Sequence, residues 1–310
     1  MMNTHTGFSN GADILPANLV GLRELARQLP LAKQKRILND LSGSHTSAVR
    51  GRGIDFSEVR NYQPGDDIRA MDWRVTARTG DPHIKLFREE RERPVLIVCD
   101  LRANMHFGTR QTLKDVLAAD ISALLAWAAL ANGDRTGGLI FNDQQEQDLR
   151  PKTGRKQVLQ LLHQLADMPA SAPADGQQRM QQMCRHLRRI VRPGSAVYFI
   201  SDWLGFDDEC ERQLFSVSRH SDISAIRLYD PMEAQLPPPG LYNLTDGRQK
   251  IILDSYSHTS REAHQQAYQQ QRQQLQHYML RLKVPLLEIA TSDEPLSALR
   301  QGLGLNGGRR

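Results

Sequence analysis

The sequence predicts an α/β protein with a Rossmann-like, mostly parallel central sheet. Two observations carry this. From residue 94 onward, short apolar runs rich in Val and Ile alternate with stretches of helical periodicity, the order that builds parallel strands joined by covering helices. The runs "VLIVC", "AVYFIS" and "SAIRLY" each end abruptly on a carboxylate, Asp100, Asp202 and Asp230, at the strand ends where open parallel sheets bind ligands.

At 310 residues the chain can bury one large core or two smaller ones. Hydrophobic residues at 39% and charged residues at 24% fit a globular protein and exclude a disordered class. The formal charge of +5 comes from 40 basic against 35 acidic residues, interspersed, so a solvated mixed surface is favoured over an acidic partner. Cys99, Cys184 and Cys210 are odd in number and lack C-x-x-C spacing, which implies reduced thiols and a cytoplasmic location. The N-terminal "MMNTHTGFSNGADILP" has no signal-peptide pattern. The apolar stretch "VLAADISALLAWAALA" is shorter than the roughly 20 residues a bilayer needs and contains Asp120, so no membrane span is expected.

The chain divides into four regions. In residues 1–43, Leu19, Leu22, Ala26 and Leu29 recur at helical spacing until Pro30 interrupts them. Residues 44–93 lose that periodicity and are dense in Gly, Arg and Asp, with a turn at Pro64-Gly65 and short extended pieces such as "HIKLF". This segment is expected to be a small irregular or β module packed against the α/β region. Residues 94–304 form that α/β region, and residues 305–310 a flexible tail.

Within the α/β region the strand "VLIVCD" precedes a helix from about Gln111 to Asn132, closed by Gly133, and the strand "TGGLIF". Helices "RKQVLQLLHQLA" and "QRMQQMCRHLRRIV" come next, then strand "AVYFISD", helix "DECERQLFSVSRH" and strand "SAIRLYD". "GLYNLTDGRQKIILDS" reads as a hairpin turning at Asp246-Gly247. The Gln-rich run beyond it places Ala263, Ala267, Leu275, Tyr278, Met279 and Leu282 on one helical face, and "VPLLEIAT" forms a last strand.

If the first strand of this region and the "YFIS" strand lie centrally, Asp100 and Asp202 approach one another and suit an oxygen-preferring cation such as Mg²⁺. The competing reading makes each a helix cap or loop residue. Arg60, Asp66, Asp67, Arg69, Asp72, Arg74 and Arg78 interleave opposite charges with Tyr62 and Trp73 around Gly65. An ion-pair network is the favoured reading of that pattern and a partner-binding face the alternative. Nucleic-acid binding through "VRGRG" is disfavoured by the neighbouring acids. No nucleophile elbow, phosphate loop or paired zinc pattern occurs.

The layout "LIVCDLRANMHFG", long helix, "GDRTGGLIF" and "YFISDW" resembles a von Willebrand factor A domain, a three-layer α/β fold. Its metal-ion-dependent adhesion site uses D-x-S-x-S after the first strand, a Thr from a later loop and an Asp after the fourth strand. Upstream, "GRGIDFSEVRNYQPGDDIRAMDWRVTARTG" resembles the signature of the bacterial family called domain of unknown function 58. Carried over residue by residue, Asp100 and Asp202 match, whereas Arg102 and Asn104 replace both Ser positions and only Ser171 stands near the Thr position. The resemblance thus implies a weak or vestigial Mg²⁺ site at Asp100, Asn104 and Asp202, and no other cofactor.

It further implies a non-enzymatic adaptor that binds protein, with a MoxR-type AAA+ ATPase as partner. Recognition would run through Asp100, Arg102, Asn104, Ser201, Asp202 and Trp73, with Arg102 pairing to a partner carboxylate. The alternative is a Mg²⁺-dependent phosphohydrolase using Asp100 and Asp202, against which Arg102 stands where a second Asp is wanted.

Overall fold

The computed structural model describes residues 8–9, 11–29, 31, 54–62, 71–89, 92–245 and 250–304. The chain divides into two compact units, one of Met1–Ser42 with Arg93–Arg310 and one of Gly43–Glu92. In the larger unit, α1 (Pro16–Gly21) and α2 (Arg23–Ala26) come first. The smaller unit holds β1 (Ile54–Asn61), α3 (Trp73–Thr79) and β2 (His83–Glu89). The larger unit resumes with β3 (Pro94–Asp100), α4 (Lys114–Ala131), β4 (Arg135–Phe141), β5 (Glu146–Lys152), α5 (Arg155–Ala166) and α6 (Gly176–Ile190). Then come β6 (Ala196–Ser201), α7 (Asp208–Ser218), β7 (Asp222–Tyr229), α8 (Pro231–Ala234), β8 (Leu241–Thr245), β9 (Lys250–Asp254), α9 (His258–Leu282), β10 (Leu286–Ala290) and α10 (Pro295–Gly302).

In the smaller unit β1 and β2 pair antiparallel, with a bulge between Phe56 and Glu58. Asp72 caps α3 by accepting from the backbone N–H groups of Arg74 and Val75 at 3.1 and 3.2 Å, and Gly80, at φ 82°, ends it. Trp73 and Arg78 are exposed, and Tyr62 is half-buried. Arg60 lies in β1. Gly65, Asp66, Asp67, Arg69 and the expected turns at Pro64-Gly65 and Asp246-Gly247 lie outside the described residues.

In the larger unit six strands form one sheet in the order β10-β7-β6-β3-β4-β5. All pairs are parallel except β4 with β5. The alternation expected from residue 94 is therefore the observed architecture, with two additions. The segment "EQDLRPK" forms the edge strand β5, unforeseen because Leu149 is its one buried side chain and Pro151 reads as a breaker. A second addition is α10, which starts at Pro295 behind Glu294, whose side chain accepts from the Ser297 N–H.

Successive residues of β3 supply opposite faces. Val95, Ile97 and Cys99 enter an apolar cluster with α4 and α5, while Leu96 and Val98 enter another with α6 and α7. Helix α4 is buried all round, as a helix that is apolar on every side must be. The N-terminal helices do not stand apart as a separate segment: Leu19, Leu22, Ala26 and Leu29 belong to the same cluster as α4, and Trp127 Nε1 donates to the Leu19 carbonyl at 3.0 Å.

The face expected of α9 holds only in part. Leu275, Tyr278, Met279 and Leu282 are buried, but Ala263 and Ala267 are exposed, because the first half of the helix runs beyond the core beside the strand ends. The three cysteines are buried free thiols. The neighbouring Cys210 of α7, together with burial, pushes the Cys184 thiol of α6 well up.

Candidate functional site

The sheet order reverses between β3 and β6: the chain passes from β3 outward through β4 and β5, then returns on the other side with β6 and β7. Crevices of this kind, at the carboxyl ends of the strands, are where open α/β sheets place ligands. Asp100 ends β3 here, Ser201 ends β6, and Asp202 is the first residue beyond it.

The loop after β3 turns at once, because the Asp100 carboxylate accepts the Arg102 N–H at 3.0 Å. That turn folds the Arg102 side chain back onto the same carboxylate. Nε donates to Oδ1 at 3.0 Å and Nη2 to Oδ2 at 2.7 Å. The remaining guanidinium donors reach the carbonyls of Gly176 at 2.9 Å and Leu204 at 3.1 Å. Ser201 Oγ donates to Asp100 Oδ2 at 2.6 Å and accepts the Trp203 N–H at 2.9 Å. These bonds hold Trp203 at φ 64°, a conformation large side chains seldom adopt.

A second ion cluster adjoins the first. Asp202 Oδ2 accepts from Lys114 Nζ at 3.0 Å and Asn104 Nδ2 at 2.6 Å, and Oδ1 accepts the Leu204 N–H at 3.0 Å. Lys114 also reaches Glu233 Oε1 at 2.6 Å. Arg102 links the clusters, its Nη2 lying 3.7 Å from Asp202 Oδ1. Asp143 anchors the other side of the loop, accepting the Ala103 N–H at 2.7 Å and the Ser171 hydroxyl at 2.8 Å.

Burial opposes both cations and the carboxylates override it. Asp100 raises the Arg102 guanidinium above its ordinary value, and Asp202 with Glu233 does the same for Lys114. Burial likewise pushes Asp202 up, but Lys114 and then Arg102 bring it below the usual carboxylate range.

The residues present do not fit a divalent cation. Both oxygens of Asp100 are engaged by Arg102, Asp202 is engaged by Lys114, and Asn104 turns an N–H donor toward Asp202. Ser171 faces Asp143 instead of completing the set. Arg102 also cannot meet a partner's carboxylate, contrary to the sequence expectation: it is fully buried, and its partner is Asp100. Asp230 stays apart as a capping residue, accepting from Thr109, Thr291 and the Met232 N–H while Glu233 returns a bond to its own N–H.

Asp100, Arg102, Asn104, Ser201 and Asp202 are thus brought together, while Trp73 belongs to the other unit. Lys114, Asp143 and Glu233 were not singled out from the sequence. The D-x-x-E spacing of Asp230 and Glu233 was a usable signal for the last. Beside the cluster lies a cavity of about 480 Å³, bordered by Asn104, Asp202 and Leu204 on the loops and by His264, Tyr268 and Gln271 on α9.

The fold and site define a mixed α/β protein with an internally paired ion cluster at the switch point of a mostly parallel sheet. The chain belongs to the family described as protein of unknown function DUF58, whose sequence profile matches residues 58–274. Uncharacterized proteins of Mycobacterium bovis and Mycobacterium tuberculosis are 33% identical over 228 residues, covering 74% of this chain and 71% of theirs. Among solved structures, the conserved hypothetical protein BatB of Bacteroides thetaiotaomicron is similar over 69% of this chain and 98% of its own, with 13% identity and a TM-score of 0.43. An aerotolerance-related membrane protein of Bacteroides fragilis covers 69% of this chain and 99% of its own, at 14% identity and a TM-score of 0.42. Among the described residues no helix is long and apolar enough to cross a membrane.

Proposed function

We propose that this chain is a non-enzymatic, von Willebrand factor A-like adaptor that recognises another protein through its strand-end loops without a bridging metal. The partner is a MoxR-type AAA+ ATPase met in the cytoplasm. The observation that supports this reading is the placement of Arg102 and Lys114, which hold Asp100 and Asp202 from within and leave a preformed rim of Asn104, Leu204 and the α9 side chains beside the cavity. Leu204 is 49% exposed on that rim, an apolar group available to a partner. A loop already fixed by buried ion pairs loses little conformational entropy when it docks.

The phosphohydrolase alternative asks Asp100 to act as nucleophile or metal ligand. Its carboxylate is fully buried and forked by Arg102, which argues against either role.

Hydrogen exchange with and without a MoxR-type ATPase from the same organism tests the proposal. Protection is expected over residues 101–106 and 202–206 when the ATPase is present, and Leu204→Glu should abolish it. Unchanged exchange in both loops would contradict the adaptor role.

A further inference from the structure

At the opposite end of the sheet from Asp100, the first residues of β3 and β4, the last of β5 and the final turn of α6 enclose a cleft of about 420 Å³. Its lining is charged one way: Arg135, Arg150, Lys152, Arg189 and Arg192 face a single carboxylate, Asp148. The pattern of β5 accounts for part of this, since Asp148, Arg150 and Lys152 alternate with the buried Leu149 and so share the face away from it. Asp148 lies 3.8 Å from His186 Nε2 and is not within an ion-pair distance of the five cations.

Among the described residues, none of those five has a carboxylate partner. Arg179 and Arg185, on the same helix α6, do have theirs, in Glu146 and Glu209. The buried Nε of Arg135 has no hydrogen-bond acceptor either. A concave set of like charges with an unsatisfied buried donor repels itself until an anion enters.

The apolar part of the lining selects among anions. Leu96, Ile190 and Val191 offer an aliphatic floor, and no aromatic side chain is among the lining residues to stack a nucleobase. We propose that this cleft binds an acidic, extended peptide segment of a partner protein, its carboxylates held by Arg135, Arg150, Lys152, Arg189 and Arg192 and one aliphatic side chain seated on Leu96, Ile190 and Val191. This site is separate from the strand-end face and does not rest on the reading given for that face.

Fluorescence anisotropy with the full chain and a labelled peptide, acetyl-Glu-Asp-Leu-Glu-Glu-Ile-Asp, tests the proposal. Saturable, salt-sensitive binding is expected, with no binding of the same peptide carrying Gln and Asn for Glu and Asp. The double variant Arg189→Glu, Arg192→Glu changes exposed positions and should retain the parent's thermal melt while binding at least about tenfold more weakly. Lys152→Glu, on the edge strand, provides an independent reversal should the double variant fail to fold. Absence of saturable peptide binding, or undiminished binding by the folded reversal variants, would overturn the proposal. Tighter binding of a thymidine oligonucleotide of equal charge would also overturn it and assign the cleft to nucleic acid.

Discussion

Arg102 grips Asp100, two residues before it in the chain, in a forked ion pair whose Nη2 to Oδ2 distance is 2.7 Å and in which both side chains are fully buried. A local turn thereby closes what would otherwise be an open carboxylate at the centre of the sheet. The guanidinium also fixes the loop after β6 and the first residue of α6 through the carbonyls of Leu204 and Gly176.

Arg102→Ala leaves Asp100 buried without its cation and strips both carbonyls of their donor. A loss of about 3–5 kcal/mol in denaturant-derived stability is expected. Arg102→Lys should recover only part of it, since an ammonium cannot fork a carboxylate and reach both carbonyls as well. A loss under about 1 kcal/mol for Arg102→Ala would show that the pair is dispensable.

Lys114 governs the response to acid. Because the folded value of Asp202 is depressed, its contribution is present above the unfolded value of about 3.9 and is lost as pH falls through the folded one. Lys114→Met removes the leading cause of the depression. Its acid-unfolding midpoint should therefore move to higher pH than the parent's, and an unmoved midpoint would count against the coupling.

Asp120 acts in the opposite direction. Burial pushes its carboxyl up to about 6, with the Ser9 N–H and hydroxyl pulling partly back. Between the unfolded value of about 3.9 and this one the folded state holds more proton, so stability falls as pH rises through that window. Asp120→Asn should flatten the slope while keeping a bond to each Ser9 group. Equal slopes in the two proteins would refute the assignment.

The turn after β6 depends on a glycine. Gly205 adopts φ 82°, and a Cβ there would lie 2.7 Å from the Gly176 carbonyl oxygen, the same atom that accepts from Arg102. Gly205→Ala is expected to cost at least about 2 kcal/mol, read as a lowered melting temperature. A variant as stable as the parent would mean that α6 shifts freely at its start.

The parallel sheet was legible because β3, β4, β6 and β7 are buried runs with little polar interruption, and the strand-end positions of Asp100 and Asp202 followed from where those runs stop. Edge strand β5 was not legible, since a strand with one buried residue carries almost no hydrophobic period. Lys114 escaped notice for a different reason. Its place at the start of α4 is visible in the sequence, but its burial depends on Asp202 and Glu233, which lie 88 and 119 residues away. Arg102 was legible as an obstacle to metal binding, whereas its enclosure depends on carbonyls from a distant loop and the start of α6.

The central claim is that Arg102 and Lys114 hold the strand-end carboxylates where a divalent cation would otherwise be required. Titration calorimetry of the unmodified protein with Mg²⁺ tests it most directly. No saturable heat is expected at roughly millimolar Mg²⁺, the range of a binding free energy of about 4 kcal/mol. The double variant Arg102→Ser, Asn104→Ser, which removes a positive charge and adds hydroxyl oxygens, should bind more tightly than the parent. Saturable Mg²⁺ binding by the unmodified protein, abolished by Asp100→Ala, would contradict the account.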